Sequence, residues 1–264
     1  MMGQCKLCLK TGVALKNSHF ISAGIYKRLR DKNEKNPNPW MLSKTTAVQT
    51  SRQITAYLLC KDCEQRFNKN GEDWVLKHCL QEDGNFPLAS ILASRVPDIS
   101  SSDPTRVYYA SKIPEINISA LAYFAASIFW RGSIYGWNDD GSIPVKLGPF
   151  QEEFRQYLME LKMFPRDCTL LVLVREGKDI DRLTFTPLSE RIDNFHVHKF
   201  PMPGLAFTLA VGKNIPIKFR PACFVYGSNN PIVMTSKIEK YLEDTAIKML
   251  SEVAYGKKVH LDER

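Results

Sequence analysis

The sequence predicts an α+β fold in which a cysteine-clamped N-terminal module precedes a body of helices and antiparallel strands. Three observations lead there. Two Cys-x-x-Cys pairs, Cys5–Cys8 and Cys60–Cys63, frame the N-terminal region. A dense apolar run, residues 120–130, stands in the middle of the chain and is followed by Arg131. From Thr169 onward the apolar period changes from that of helices to that of strands. Helices followed by a run of strands indicate α+β rather than alternating β/α layers.

Four thiols in two such pairs match a closed tetrahedral zinc site, each pair clamping two corners of the ion. Four unrelated buried cysteines are the alternative. The stretch between the pairs is far longer than in a minimal zinc ribbon, so further structure is expected there. Residues 12–21 read as a strand or hairpin leading to His19. Residues 22–32 read as a helix with Ile25, Tyr26 and Leu29 on one face and Lys27, Arg28, Arg30 and Lys32 on others. Asn36-Pro-Asn-Pro39 ends it, because proline lacks the helix amide and holds its predecessor extended. Residues 41–52 read as loop and 53–60 as a second strand. Residues 64–80 then form a helix, broken near Asn70-Gly71, with Phe67, Trp74, Val75 and Leu76 inward.

The loop at 82–85 and the turn-rich connector at 96–104 divide the chain into a module of residues 1–95 and a body of residues 105–264. In the body, 107–110 reads as a short strand. Asn117 or Ser119 caps an apolar helix ending near Tyr135, which is hydrophobic nearly all round and therefore central to a core. Pro149 opens a helix carrying Phe150, Phe154, Tyr157, Leu158 and Leu161 on one face. Strands at 170–174, 183–186, 195–198, 205–211 and 222–226 suggest an antiparallel meander. A capping box at Ser236–Glu239 starts a last helix reaching about Tyr255.

Composition narrows the classes of function. The chain of 264 residues carries a net charge of +8. Residues 1–70 hold 13 Lys/Arg against 4 Asp/Glu, while the remainder hold 23 against 24. The excess therefore sits on the N-terminal module, as a binder of phosphate backbones would have it; a solvated basic surface is the plain alternative. Arg28, Arg30, Lys32 and Lys35 are the candidate backbone contacts. No apolar run reaches the roughly 18 residues that span a bilayer, so no membrane partner is expected. The N-terminus lacks the apolar core of a signal peptide. Seven cysteines, four at metal spacing, suit a reducing cytoplasm, with Cys79, Cys168 and Cys223 as interior residues.

Cys5 and Cys8, Ser18-His19-Phe20-Ile21 and Leu58-Leu-Cys-Lys-Asp-Cys-Glu64 together resemble the HNH-type (ββα-metal) endonucleases that carry a four-cysteine zinc ribbon. Within that family they are similar to a divergent bacterial subgroup linked in part to phage defence. The resemblance covers about a third of the chain. It implies a structural Zn2+ on the four cysteines and a separate catalytic Mg2+ or Mn2+. It implies that His19 is the general base that activates water, and that Glu64 is the helical metal ligand. Asn68, four residues on, shares the helical face of Glu64 and would reach the same ion or a phosphate. Family members often carry Asp where Ser18 stands and His where Glu64 stands; a carboxylate at Glu64 suits a hard cation.

From the residues alone, His19 is also readable as a structural histidine or a zinc ligand, and Glu64 as a favourable first-turn acid. His196 and His198 alternate along one strand face without an acidic partner in sequence. The expected activity is metal-dependent cleavage of nucleic acid, DNA ahead of RNA, with the body free to hold substrate or a protein partner. The alternative is a catalytically inactive zinc module that binds nucleic acid or protein.

Overall fold

A computed structural model describes residues 1–30, 35–42, 46–100, 105–138, 141–175, 183–227, 229–235 and 259–260. The first part contains β1 (Met2–Gly3), β2 (Val13–His19), α1 (Ala23–Arg28), β3 (Trp40–Leu42), β4 (Thr46–Gln49), β5 (Thr55–Cys60), α2 (Lys61–Phe67), α3 (Asp73–His78) and α4 (Pro87–Ala93). The rest contains β6 (Ile99–Ser100), β7 (Arg106–Tyr109), α5 (Ile118–Ile134), α6 (Phe150–Leu158), β8 (Cys168–Arg175) and β9 (Leu183–Phe185). It continues with β10 (Leu188–Ile192), β11 (Phe195–Met202), β12 (Leu205–Val211), β13 (Pro231–Thr235) and β14 (Val259–His260). No described helix is long and apolar enough to cross a membrane.

The chain is mixed α and β, with the four-cysteine cluster at its N-terminal end. Strands β1, β2 and β5 form a small sheet in that order, and α2 leaves β5 without a loop. Cys60 keeps extended backbone at the helix N-cap, and Asp62 and Glu64 in the first turn favour the positive end of the helix dipole. A single π-turn, Asn68–Glu72, joins α2 to α3, where the sequence suggested a break. Such a turn accommodates one extra residue without ending the helix.

The large sheet has the order β10-β11-β12-β8-β13-β7-β6. It corrects the expected meander: β8 lies between β12, antiparallel, and β13, parallel. β9 is not in this sheet but pairs in parallel with β3 in a third sheet, β14-β4-β3-β9. Residues 41–52, expected as loop, thus supply two strands. The strand expected at 222–226 is a set of turns, in which Cys223 N donates to Arg220 O and Gly227 N to Cys223 O. Only Phe224 N reaches the edge of β8, at Leu170 O, before β13 takes that edge over. The helix expected from Pro149 stops at Leu158, because Glu160 takes φ +60°, and Leu161 is exposed. The helix expected at 236–255 lies outside the described residues.

Helix α5 is the axis of the molecule. The Asn117 side chain accepts from Ala120 N at 2.9 Å and starts it, and every residue from Ala120 to Ser133 is buried. One hydrophobic cluster surrounds it, from Cys5 and Leu7 through Phe67 to Met234. The core does not stop at the connector: Phe20 packs on Trp137 with ring centroids 5.1 Å apart, and Phe67 meets Tyr123 and Trp130 edge-on at 6.1 Å. The hairpin–helix unit is therefore built against the body.

Candidate metal centre and the His19 strand end

The first cysteine pair sits on a tight knuckle. Cys5 N donates to Lys10 O and Leu9 N to Cys5 O, with Leu9 at φ +61° closing the turn. Lys6 N donates to Leu58 O, and Cys60 N to Cys5 Sγ at 3.4 Å, which brings the second pair over the first. All four Sγ atoms lie within 4.8 Å of one another, and Cys8 and Cys60 are 3.8 Å apart. A tetrahedral zinc with bonds of about 2.3 Å requires sulfurs about 3.8 Å apart, so donor type, number and spacing all fit such an ion. The Cys63 thiol hydrogen-bonds Cys5, holding Cys5 at about 4 and pushing its own ionisation up. A divalent cation would replace that sharing by ionising all four.

The body grips this knuckle. Leu7 is fully buried, and Arg155 of α6 donates to Leu7 O at 2.6 Å. Arg155 is fixed in turn by two 2.7 Å bonds to Glu152, whose carboxyl they hold at about 2, with help from Gln156.

At the other end of β2 stands His19. The β2–β5 ladder pairs Leu15 with Cys60 and His19 with Thr55, with a bulge between Lys16 and Asn17. Ser18 points inward, 1% exposed, and its Oγ accepts from Leu59 N at 3.3 Å, an amide displaced by the bulge. The residue before the histidine is thus part of the core. Because side chains alternate along a strand, the His19 ring leaves by the opposite face. It is half-buried, and no described residue hydrogen-bonds it.

The His19 carbonyl, by contrast, is held tightly. Arg131 of α5 donates to it from Nη1 at 2.9 Å and to Glu72 Oε1 from Nη2, also at 2.9 Å. Ser127 takes two further bonds from this guanidinium, which lies over the Phe67 ring at 5.2 Å. Arg131 is 2% exposed, so its charge depends on Glu72, itself buried in the π-turn. Gly71 beside it allows close approach: a Cβ there would lie 2.9 Å from Phe124 N. Arg131, Glu72 and Arg155 were not anticipated as site residues. The one available signal was an arginine in the last turn of an otherwise apolar helix, which demands a buried partner.

The remaining candidates divide. Glu64 lies in the first turn from the cysteine end, and its Oε1 is buried with no hydrogen-bond partner. Asn68 is exposed at the end of α2. The helical carboxylate joined to the His19 end is Glu72, through Arg131, rather than Glu64. Among the described residues, the four cysteines are the group of three or more metal-ligating side chains whose donor atoms converge; His19 and Glu64 are not in such a group. Arg28 bonds Gly24 O, Leu76 O and Gln81 Oε1, so it staples α1 to α3 instead of facing solvent. Arg30 and Lys35 are exposed, and Lys32 lies outside the described residues. Arg30 lines a cavity of about 310 Å³ with Tyr26, Lys27, Ser51 and Gln53. Cys79, Cys168 and Cys223 are buried, and His196 and His198 stack at 6.1 Å in β11.

Comparison with known proteins finds no match: no family model, no curated protein and no solved structure is similar to this chain.

Proposed function

We propose that residues 13–78 form the centre of a metal-dependent endonuclease, with His19 as general base and Glu64 as a ligand of a catalytic Mg2+ or Mn2+. The observation that carries this reading is the orphaned carboxylate oxygen of Glu64. A buried carboxyl oxygen without a hydrogen-bond partner is costly, and a hard cation is a partner that would satisfy it. Its setting agrees: two antiparallel strands run into a helix, a four-cysteine clamp holds one end, and an unpartnered imidazole stands at the other. That order matches the HNH-type resemblance in the sequence. Phosphodiester hydrolysis needs a base near neutral pH and positive charge to hold the backbone, here His19 and the Lys27–Arg30 side of α1. The four cysteines hold zinc in this reading, and the catalytic cation is a second ion.

A second reading, a zinc-stabilised module that binds nucleic acid or protein without cleaving it, is favoured by one specific observation. Glu72, the carboxylate joined to the His19 end, is already committed to Arg131. Metal titration separates the two. Mn2+ added to zinc-loaded protein and followed by its electron spin resonance should bind at a second site, and Glu64→Gln should weaken that site by about tenfold or more. No second site, or one indifferent to Glu64, favours the module without catalysis.

A further inference from the structure

Far along the chain from the two Cys-x-x-Cys pairs, three loops meet where β8 begins: the approach 164–167, the turn after β12 and the turns 220–226. They enclose an open cavity of about 350 Å³. Arg166, Lys213 and Arg220 line it, one from each loop. None of the three side chains hydrogen-bonds or ion-pairs with another described residue, and all are exposed. The one carboxylate in the lining is Asp167, so the wall carries two net positive charges. Ile215 and the ring of Tyr226 form the apolar side; Tyr226 Oη donates to Phe164 O, which fixes the ring in place.

Unpaired cations that converge on a cavity from separate loops are poised for an anion. A phosphate monoester carries about −1.5 to −2 charges at neutral pH and accepts several charge-assisted bonds. The volume is at the small end of small-molecule sites. The apolar wall beside the cations suits a ligand with a body as well as a phosphate. We propose that this cavity binds a small phosphorylated ligand of mononucleotide size, its phosphate held by Arg166, Lys213 and Arg220 and its body against Tyr226 and Ile215. This site is separate from the His19 end and stands whether or not that end is catalytic.

Isothermal titration at low salt with a nucleoside 5′-monophosphate, its parent nucleoside and inorganic phosphate tests it on the full-length, zinc-loaded protein. The monophosphate should bind saturably, the nucleoside should not, and inorganic phosphate should bind more weakly than the monophosphate. Arg166→Gln, Lys213→Gln and Arg220→Gln should each weaken the monophosphate by about tenfold. Tyr226→Leu should weaken the monophosphate and leave inorganic phosphate unchanged. His19→Ala should change neither, which keeps this outcome apart from that of the nuclease reading. The substituted cations are exposed, so melting temperatures should stay at the wild-type value. Lack of saturable binding by any phosphate, or binding unaffected in folded protein carrying all three substitutions Arg166→Gln, Lys213→Gln and Arg220→Gln together, overturns the site. Inorganic phosphate binding as tightly as the monophosphate overturns the assignment to a larger ligand.

Discussion

Arg131 concentrates the residue-scale physics of this protein, because its one guanidinium joins the His19 carbonyl, the π-turn and the central helix. Arg131→Met would leave Glu72 buried and unpaired, and should lower unfolding free energy by about 3–5 kcal/mol in urea titration. Adding Glu72→Leu should recover much of that loss, since the pair's cost lies in isolating one charge. A double variant destabilised by the sum of the two single variants would show that the pair is not coupled. His198 gives a second residue-scale outcome. Burial, with a smaller push from His196, holds its folded-state pKa at about 4, below the ordinary 6.5. The unfolded chain therefore takes up a proton that the folded chain refuses. Stability should be flat above pH 6.5 and fall by up to about 3 kcal/mol as pH drops towards 4. His198→Gln should flatten that part of the pH profile; an unchanged slope would remove His198 as its source. Arg131 was visible in sequence only as the end of an apolar run. Its partners lie 59 and 112 residues away, which no local pattern encodes.

At the scale of elements, what local chemistry dictates was legible and what long-range pairing dictates was not. The apolar helix around residues 118–134, the amphipathic helix after Pro149 and the strands 170–174 and 205–211 stand close to their expected places. Their periodicity is long enough to decide for itself. The short strands β3 and β4 are Ser/Thr-rich at their borders, and β3 exists through pairing with β9 and β4, so residues 41–52 read as loop. The segment 222–226 has strand composition, yet its turns spend its amides locally and leave the sheet edge to β13. Asn70-Gly71 announced an irregularity, and the π-turn is its form. Gly71→Ala would drive a methyl to 2.9 Å from Phe124 N and 3.0 Å from Phe124 Cα, backbone atoms that cannot rotate away. It should cost about 1–3 kcal/mol, read as a lowered melting temperature. A wild-type melt would mean that α3 and α5 are less closely docked.

Over the whole molecule, the cysteine clamp and the body share one core, so they should fold together. Phe20 and Phe67 on one side and Trp130 and Trp137 on the other belong to the same buried cluster. A fragment of residues 1–95 would expose Phe20, Phe67 and Leu7 together, and should show a collapsed, poorly dispersed amide spectrum even with zinc. A well-dispersed spectrum from that fragment would show an autonomous module. Zinc removal should act beyond the knuckle as well, because Leu7 and Arg155 tie the knuckle to α6. Cys60→Ser should therefore lower stability of the entire chain, the binding of such an ion being worth on the order of 10 kcal/mol to folding. The four ligands were legible because Cys-x-x-Cys spacing is local; the contact of their support with α6 was not.

The most direct test of the proposed chemistry is cleavage itself. Zinc-loaded protein is incubated with plasmid DNA and with RNA in Mg2+ or Mn2+, beside His19→Ala at equal folded concentration. Wild type should cut, and His19→Ala should cut about 10²–10⁴-fold more slowly with zinc content and melting temperature unchanged. Undiminished cutting by folded His19→Ala, or no cutting by wild type with either metal on either substrate, would contradict it.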